Sequence, residues 1–157
     1  MAKESANDRF RRGALGVGID PEIQRFPEDT RTAAQAAAAL GCELGQIVKS
    51  LIFAVDGAPV LVLTSGSNQV DTDAVAAVLG GEVGRADAAV VRDATGFAIG
   101  GVPPFGHATQ LRALLDEDLL QYDLVYAAAG TPDTVFPITP EQLSSASGAT
   151  VCAVAAG

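Results

Sequence analysis

The sequence predicts a mixed α+β fold: an irregular, partly barrel-like β-sheet surrounded by helices, rather than a regular doubly wound sheet. Three observations carry this. Two apolar runs flank Asp56-Gly57, the local signature of a tight hairpin. Helical stretches with polar starts and glycine stops fall at irregular intervals between short extended ones. One segment, Gly96 to Gly106, is too rich in glycine and proline to be helix at all.

In chain order, Ser5 to Leu15 reads as a helix capped by Ser5 or Asn7 and ended by the glycines at 13, 16 and 18. Pro21 to Phe26 reads as extended. Thr30 opens an alanine-rich helix that stops at Gly41, a residue suited to a left-handed cap. The stretch after Gly45 to about Val55 is a strand, the Asp56-Gly57 turn follows, and Val60 to Thr64 is its partner. Asp71 or Thr72 caps a helix to Leu79. A brief extended piece around Val83 leads to a helix ending near Ala94. Leu111 to Asp116 and Leu124 to Ala128 read as strands, with a helical turn at Glu117 to Leu120 between them. Thr139-Pro140 starts a last helix, and Thr150 to Val154 closes the chain as a strand.

At 157 residues, with 48% hydrophobic and 18% charged content, the chain is expected to form one domain, residues 1–157, with a real core. No apolar run approaches a membrane span, and Met1 to Ser5 lacks the apolar core of a secretory signal, so a cytoplasmic location is expected. Cys42 and Cys152 stand far apart in no metal-type spacing and are expected to be free thiols. The single His107 excludes a histidine-rich metal site. A net charge of −9 argues against broad gripping of a nucleic-acid backbone. The one basic cluster, Arg9, Arg11 and Arg12, is either the solvated face of the first helix or a small phosphate contact.

Lys49 demands explanation. Strand alternation places Ile47, Lys49, Leu51 and Phe53 on one face and Val48, Ser50 and Ile52 on the other, both mostly apolar. An ammonium there must snorkel to water, guard a sheet edge, or be held by something negative. The other lysine of the chain, Lys3, stands in a polar segment expected to fray. The element that could meet Lys49 is Gly96 to Gly106, whose prolines fix φ and whose glycines bare backbone N–H groups near Gly100 and Gly101.

Familiar catalytic signatures fail. There is no phosphate-binding G-x-x-x-x-G-K-[ST], the glycines at 13, 16 and 18 do not match a dinucleotide site, and Ser65-Gly66-Ser67 is no nucleophile elbow. Asp116, Glu117 and Asp118 read as solvated charge in an exposed turn. What remains is an ammonium plus oriented backbone donors, which can stabilise negative charge at a carbonyl or fix a phosphate with no side-chain nucleophile.

Three blocks together resemble a known family. They are Gln46-Ile47-Val48-Lys49-Ser50-Leu51-Ile52-Phe53 after an alanine-containing helix; Gly96-Phe97-Ala98-Ile99-Gly100-Gly101-Val102-Pro103-Pro104-Phe105-Gly106; and the Val125 to Gly130 strand and turn followed by Thr139-Pro140-Glu141-Gln142-Leu143. They resemble the YbaK/ProX-like prolyl-tRNA editing domains, aminoacyl-tRNA deacylases, over Thr30 to Val154. The resemblance implies a sheet curled into a partial barrel and a pocket between the lysine strand and the Gly/Pro loop. It implies that Lys49 anchors the charged part of the aminoacylated terminal adenosine and that the backbone of Gly100, Gly101, Val102, Pro103 and Pro104 holds the aminoacyl group. Thr30, Phe97, Thr64 and Ser65 are candidate acyl-pocket residues. No cofactor or metal is implied. Water, a ribose hydroxyl or the substrate's own side chain could attack. His107 and Asp133 stay open between surface or turn roles and the pocket. The expected function is trans-editing: removal of a small amino acid from mischarged tRNA for proline. The acceptor end is the expected partner and a prolyl-tRNA synthetase a further one. The alternative is a non-catalytic module that binds the acceptor end or a synthetase.

Overall fold

Local signals place most of the elements. A computed structural model describes residues 4–27, 30 and 32–156. Lys3 lies outside them. Helix α1 (Ala6–Gly16) is capped by Ser5, whose hydroxyl accepts from the Asp8 N–H. After the short strand β1 (Gln24–Arg25) comes α2 (Ala33–Leu40). It starts later than Thr30, because Thr32 forms a reciprocal capping box with Gln35 and so satisfies two otherwise orphaned donors. Gly41, at φ +70, ends it in the left-handed conformation expected.

Strands β2 (Val48–Val55) and β3 (Ala58–Ser65) form the hairpin, with Lys49 opposite Thr64. Asp56 at φ 49 and Gly57 at φ 84 give the turn whose twist matches the strands. Helix α3 (Thr72–Leu79), strand β4 (Val83–Arg85), helix α4 (Ala88–Thr95), strand β5 (Arg112–Asp116), strands β6 (Val125–Ala128) and β7 (Thr134–Ile138), helix α5 (Pro140–Ser147) and strand β8 (Thr150–Cys152) complete the order.

The strands make two sheets, one ordered β4-β2-β3-β5-β8 and one ordered β1-β7-β6. A parallel bridge between Ile47 and Tyr126 joins them at one corner. The expected curl is therefore two hinged sheets and not a closed barrel. β3 pairs with β2 along its whole length, but on the other edge β4 pairs only with Phe53 to Val55. From Val48 to Ile52 that edge pairs with no strand among the described residues, and the gap between the sheets opens there.

The Gly/Pro loop is held from behind. Phe10 of α1, Phe105 of the loop and Phe136 of β7 pack with ring centroids 4.8 to 5.9 Å apart. All three are essentially buried. Removing one such ring from a core typically costs about 3–5 kcal/mol. A Cβ on Gly13 would come within 2.8 Å of Gly106 Cα, so helix and loop touch backbone to backbone.

Candidate active site

At the open edge of β2 lies a cavity of about 470 Å³. Consecutive residues Val48 to Phe53 form one wall. Ile99, Gly100 and Val102 bring the Gly/Pro loop to it, and Thr30, Thr32, Ala33 and Ala36 bring the start of α2. Val48 and Val102 belong to one core cluster, against which Ile52 packs, whereas Ile47 packs with Ala36 and Ala37 of α2. The loop thus approaches β2 from the Ser50 face, and α2 from the Lys49 face. Lys49 and the loop border one cavity, yet they meet across the strand edge and not face to face as the sequence had led one to expect.

Lys49 does not reach out to bulk water alone. Its Nζ donates to the carbonyl of Asn68 at 2.6 Å. Burial pushes its pKa below the usual lysine value, and the negative charge of Asp116 partly restores it. Asp116 is itself fully buried, which corrects its reading as solvated charge, whereas Glu117 beside it is exposed as expected. Parallel pairing of β3 with β5 places Leu63 opposite Leu115, so Thr64 and Asp116 are next in line. Asp116 Oδ2 accepts from the Thr64 hydroxyl (3.0 Å), the Ser65 N–H (3.0 Å) and Asn68 Nδ2 (2.9 Å), and Oδ1 accepts from the Asp118 N–H (3.0 Å). Burial alone would raise its pKa; the bonds from Asn68, Ser65, Asp118 and Thr64 outweigh it and hold the carboxylate ionised below its usual range.

On the other face, Ser50 Oγ is buried with no hydrogen-bond partner, alone in this among the described side chains. An unpaired buried hydroxyl costs about 1–3 kcal/mol, so such atoms in native proteins call for a missing partner. Sequence reasoning overlooked Ser50, although it is the one polar residue on the Val48-Ser50-Ile52 face.

The cavity gathers Lys49, Thr30, Gly100 and Val102. Gly101, Pro103, Pro104, Phe97, Thr64 and Ser65 do not line it. Gly101 is pressed against the turn after β6, where a Cβ would lie 2.7 Å from Thr131 Cα, so it fixes the loop from outside. Phe97 is a core residue with the Arg9 guanidinium 4.8 Å above its ring. Thr64 and Ser65 are spent on Asp116, and the Ser65 hydroxyl also donates to the Gly45 carbonyl (2.6 Å). His107 lies behind the loop in a second, smaller hollow with Arg9 and Arg12, and its Nε2 donates to the Pro103 carbonyl (2.6 Å). Burial lowers its pKa, against the pull of that bond. Asp133 is half exposed and paired with Arg25.

Comparison with known proteins decides the family. Residues 27–146 match the model of the aminoacyl-tRNA editing domain. The chain belongs to that family. An uncharacterised protein of Bacillus subtilis, YwhH, is 32% identical over 124 residues, which cover 78% of this chain and 79% of that protein. EbsC of Enterococcus faecalis, described as a candidate Cys-tRNA(Pro)/Cys-tRNA(Cys) deacylase, is 28% identical over 76% of this chain and 74% of its own length. Among solved structures, a candidate trans-editing enzyme for prolyl tRNA synthetase superposes with a TM-score of 0.94 at 43% identity, covering 99% of this chain and all of that one. The editing-domain match spans the lysine strand, the Gly/Pro loop and most of α5, the three blocks on which the resemblance rests. Among the described residues no helix is long and apolar enough to cross a membrane.

Proposed function

We propose that this editing domain is a trans-acting aminoacyl-tRNA deacylase, hydrolysing the ester of a small amino acid mischarged onto tRNA for proline. The observation that carries the reading is Lys49: a pinned, half-buried ammonium on the wall of a largely apolar cavity, across a strand edge from Gly100 and Val102 of the loop. In this reading the Lys49 ammonium stands at the ester end of the aminoacylated terminal adenosine. The loop holds the aminoacyl group by its main chain and excludes water from all but the reacting side. Ser50 Oγ, unpaired among the described residues, offers the bound aminoacyl ester a hydrogen bond. The preorganised cation stabilises negative charge as the ester carbonyl is attacked, at no reorganisation cost during the step.

Apolar lining by Ala33, Ala36, Val91 and Val102 favours an uncharged side chain in the acyl position. The tRNA for proline is supported by the relatives described as editing for prolyl-tRNA synthetase and as acting on Cys-tRNA(Pro). A net charge of −9 restricts contact to the acceptor end, with a synthetase as the source of any further tRNA recognition in a cytoplasmic setting.

Deacylation measured over a panel of tRNAs charged with alanine, serine, cysteine, threonine and proline tests this. Turnover of one or two small aminoacyl esters on tRNA for proline, with correctly charged prolyl-tRNA spared, is the expected outcome. Binding of the acceptor end with no turnover of any ester would instead make the chain a non-catalytic binding module.

A further inference from the structure

Asn68 and Asp116 occupy no part of the cavity wall, yet the position of the Lys49 ammonium is set through them. A lysine has four rotatable bonds, and fixing them costs up to about 2 kcal/mol of conformational freedom. Lys49 donates to a main-chain carbonyl, that of Asn68, so its placement is as good as the placement of that carbonyl. The turn carrying it is closed by the Asn68 N–H donating to the Ser65 carbonyl at 3.0 Å. The Asn68 side chain locks the turn onto β5: its Nδ2 donates to Asp116 Oδ2 at 2.9 Å and to Asp118 Oδ2 at 2.7 Å, using both amide hydrogens. Asp116 in turn accepts from Thr64, Ser65 and Asp118, so the carboxylate cannot swing. Lys49, Thr64 and Asp116 lie in one row across β2, β3 and β5, on the same face.

We propose that Asp116 and Asn68 are positioning residues for the editing reaction: the buried carboxylate of Asp116 orients Asn68, whose carbonyl aims the Lys49 ammonium along the cavity wall. The inference rests on the reading of Lys49 given under Proposed function. Neither residue touches the substrate. Asp116 also supplies a negative charge that favours the ammonium against the effect of its burial, while standing behind the turn where it makes no direct bond to it.

The chain has two lysines, Lys3 and Lys49, so labelling lysine at Cε and Nζ gives two resolvable NMR signals. In the wild type, the Lys49 signal is expected to show two distinct Hε resonances, from a single held rotamer, and to titrate below the ordinary lysine value. In Asn68→Ala, which leaves Asp116 its bonds to Thr64, Ser65 and Asp118, the two Hε resonances should merge. In Asp116→Asn the Lys49 titration should move further down. Below the melting temperature of each variant, kcat should fall by about tenfold to a hundredfold, the scale of a misplaced catalytic group, with KM little changed. Asp116→Asn risks unfolding, so Asn68→Ala carries the test if it does. A folded Asn68→Ala variant with unaltered Lys49 resonances and unaltered kcat would overturn the proposal, leaving Asp116 a structural residue only. The NMR arm reads Lys49 without any substrate. If the wild type hydrolyses no ester, that sinks the deacylase reading, while the resonances still report whether Asn68 and Asp116 hold the ammonium.

Discussion

The two faces of β2 handle polar groups in opposite ways. On one, Lys49 is held by a single hydrogen bond to the Asn68 carbonyl, and Asn68 is tied to a buried carboxylate that collects four hydrogen bonds. On the other, Ser50 lies under the Gly/Pro loop among apolar neighbours with nothing to bond. The first face is organised by the protein's own groups, and the second keeps a hydroxyl that no described residue engages. The proposed deacylation calls for both: a cation that does not move, and a slot whose polar atom is still unspent.

Breaking the organised face should have the larger effect. Lys49→Met is expected to reduce deacylation by about a thousandfold, as loss of a main electrostatic contributor does, in single-turnover assays. It should nevertheless melt at the same or a higher temperature, because it removes a penalised charge. The sign follows from the lowered pKa. The unfolded chain binds the Lys49 proton more tightly than the folded one, so the charged lysine costs stability at neutral pH. That cost fades as pH rises through the lowered folded value towards the ordinary lysine value. The stability gap between Lys49→Met and wild type, read by denaturant melts, should therefore close as pH approaches about 10.4.

Disturbing the loop from outside comes next. Gly101→Ala drives a Cβ into the Thr131 backbone, and is expected to cost about 1–3 kcal/mol of stability by overpacking, with activity lost in parallel as Gly100 and Val102 shift. Equal melting curves for that variant and wild type would show that the loop yields freely. The smallest effect sharpens the comparison most. Ser50→Ala deletes the unpaired hydroxyl, so it should leave the melting temperature unchanged or raised, yet lower kcat/KM about two- to tenfold, the worth of one hydrogen bond. A clear loss of stability would mean the hydroxyl already has a partner.

Much of this was legible in the chain because the signals are local. Asp56-Gly57 set the hairpin, Gly41 the helix stop, and the Gly96 to Gly106 composition the loop. The start of α2 was misplaced at Thr30 although the Thr32-to-Gln35 spacing, a capping box, was there to be read. Lys49 stood out because charge inside an apolar strand is costly. Asp116 did not, since its burial depends on parallel pairing of β3 with β5 and on partners some fifty residues away, Thr64, Ser65 and Asn68. Period-two alternation did separate Lys49 from Ser50, but it could not say from which side the loop would arrive. That was decided by Phe10, Phe105 and Phe136, whose stacking pins the loop to the Ser50 side.

The most direct test of a site shared by Lys49 and the loop is NMR titration with a non-hydrolysable aminoacyl-adenosine, alanine joined to the 3′ position through an amide, following the lysine Cε and Nζ signals with the backbone amides. The Lys49 signals, the Ser50 amide and the amides of Gly100 to Val102 are expected to shift together along one saturable curve, while Lys3 and His107 stay put. Shifts confined to the hollow of Arg9, Arg12 and His107, with Lys49 unmoved at saturation, would contradict it.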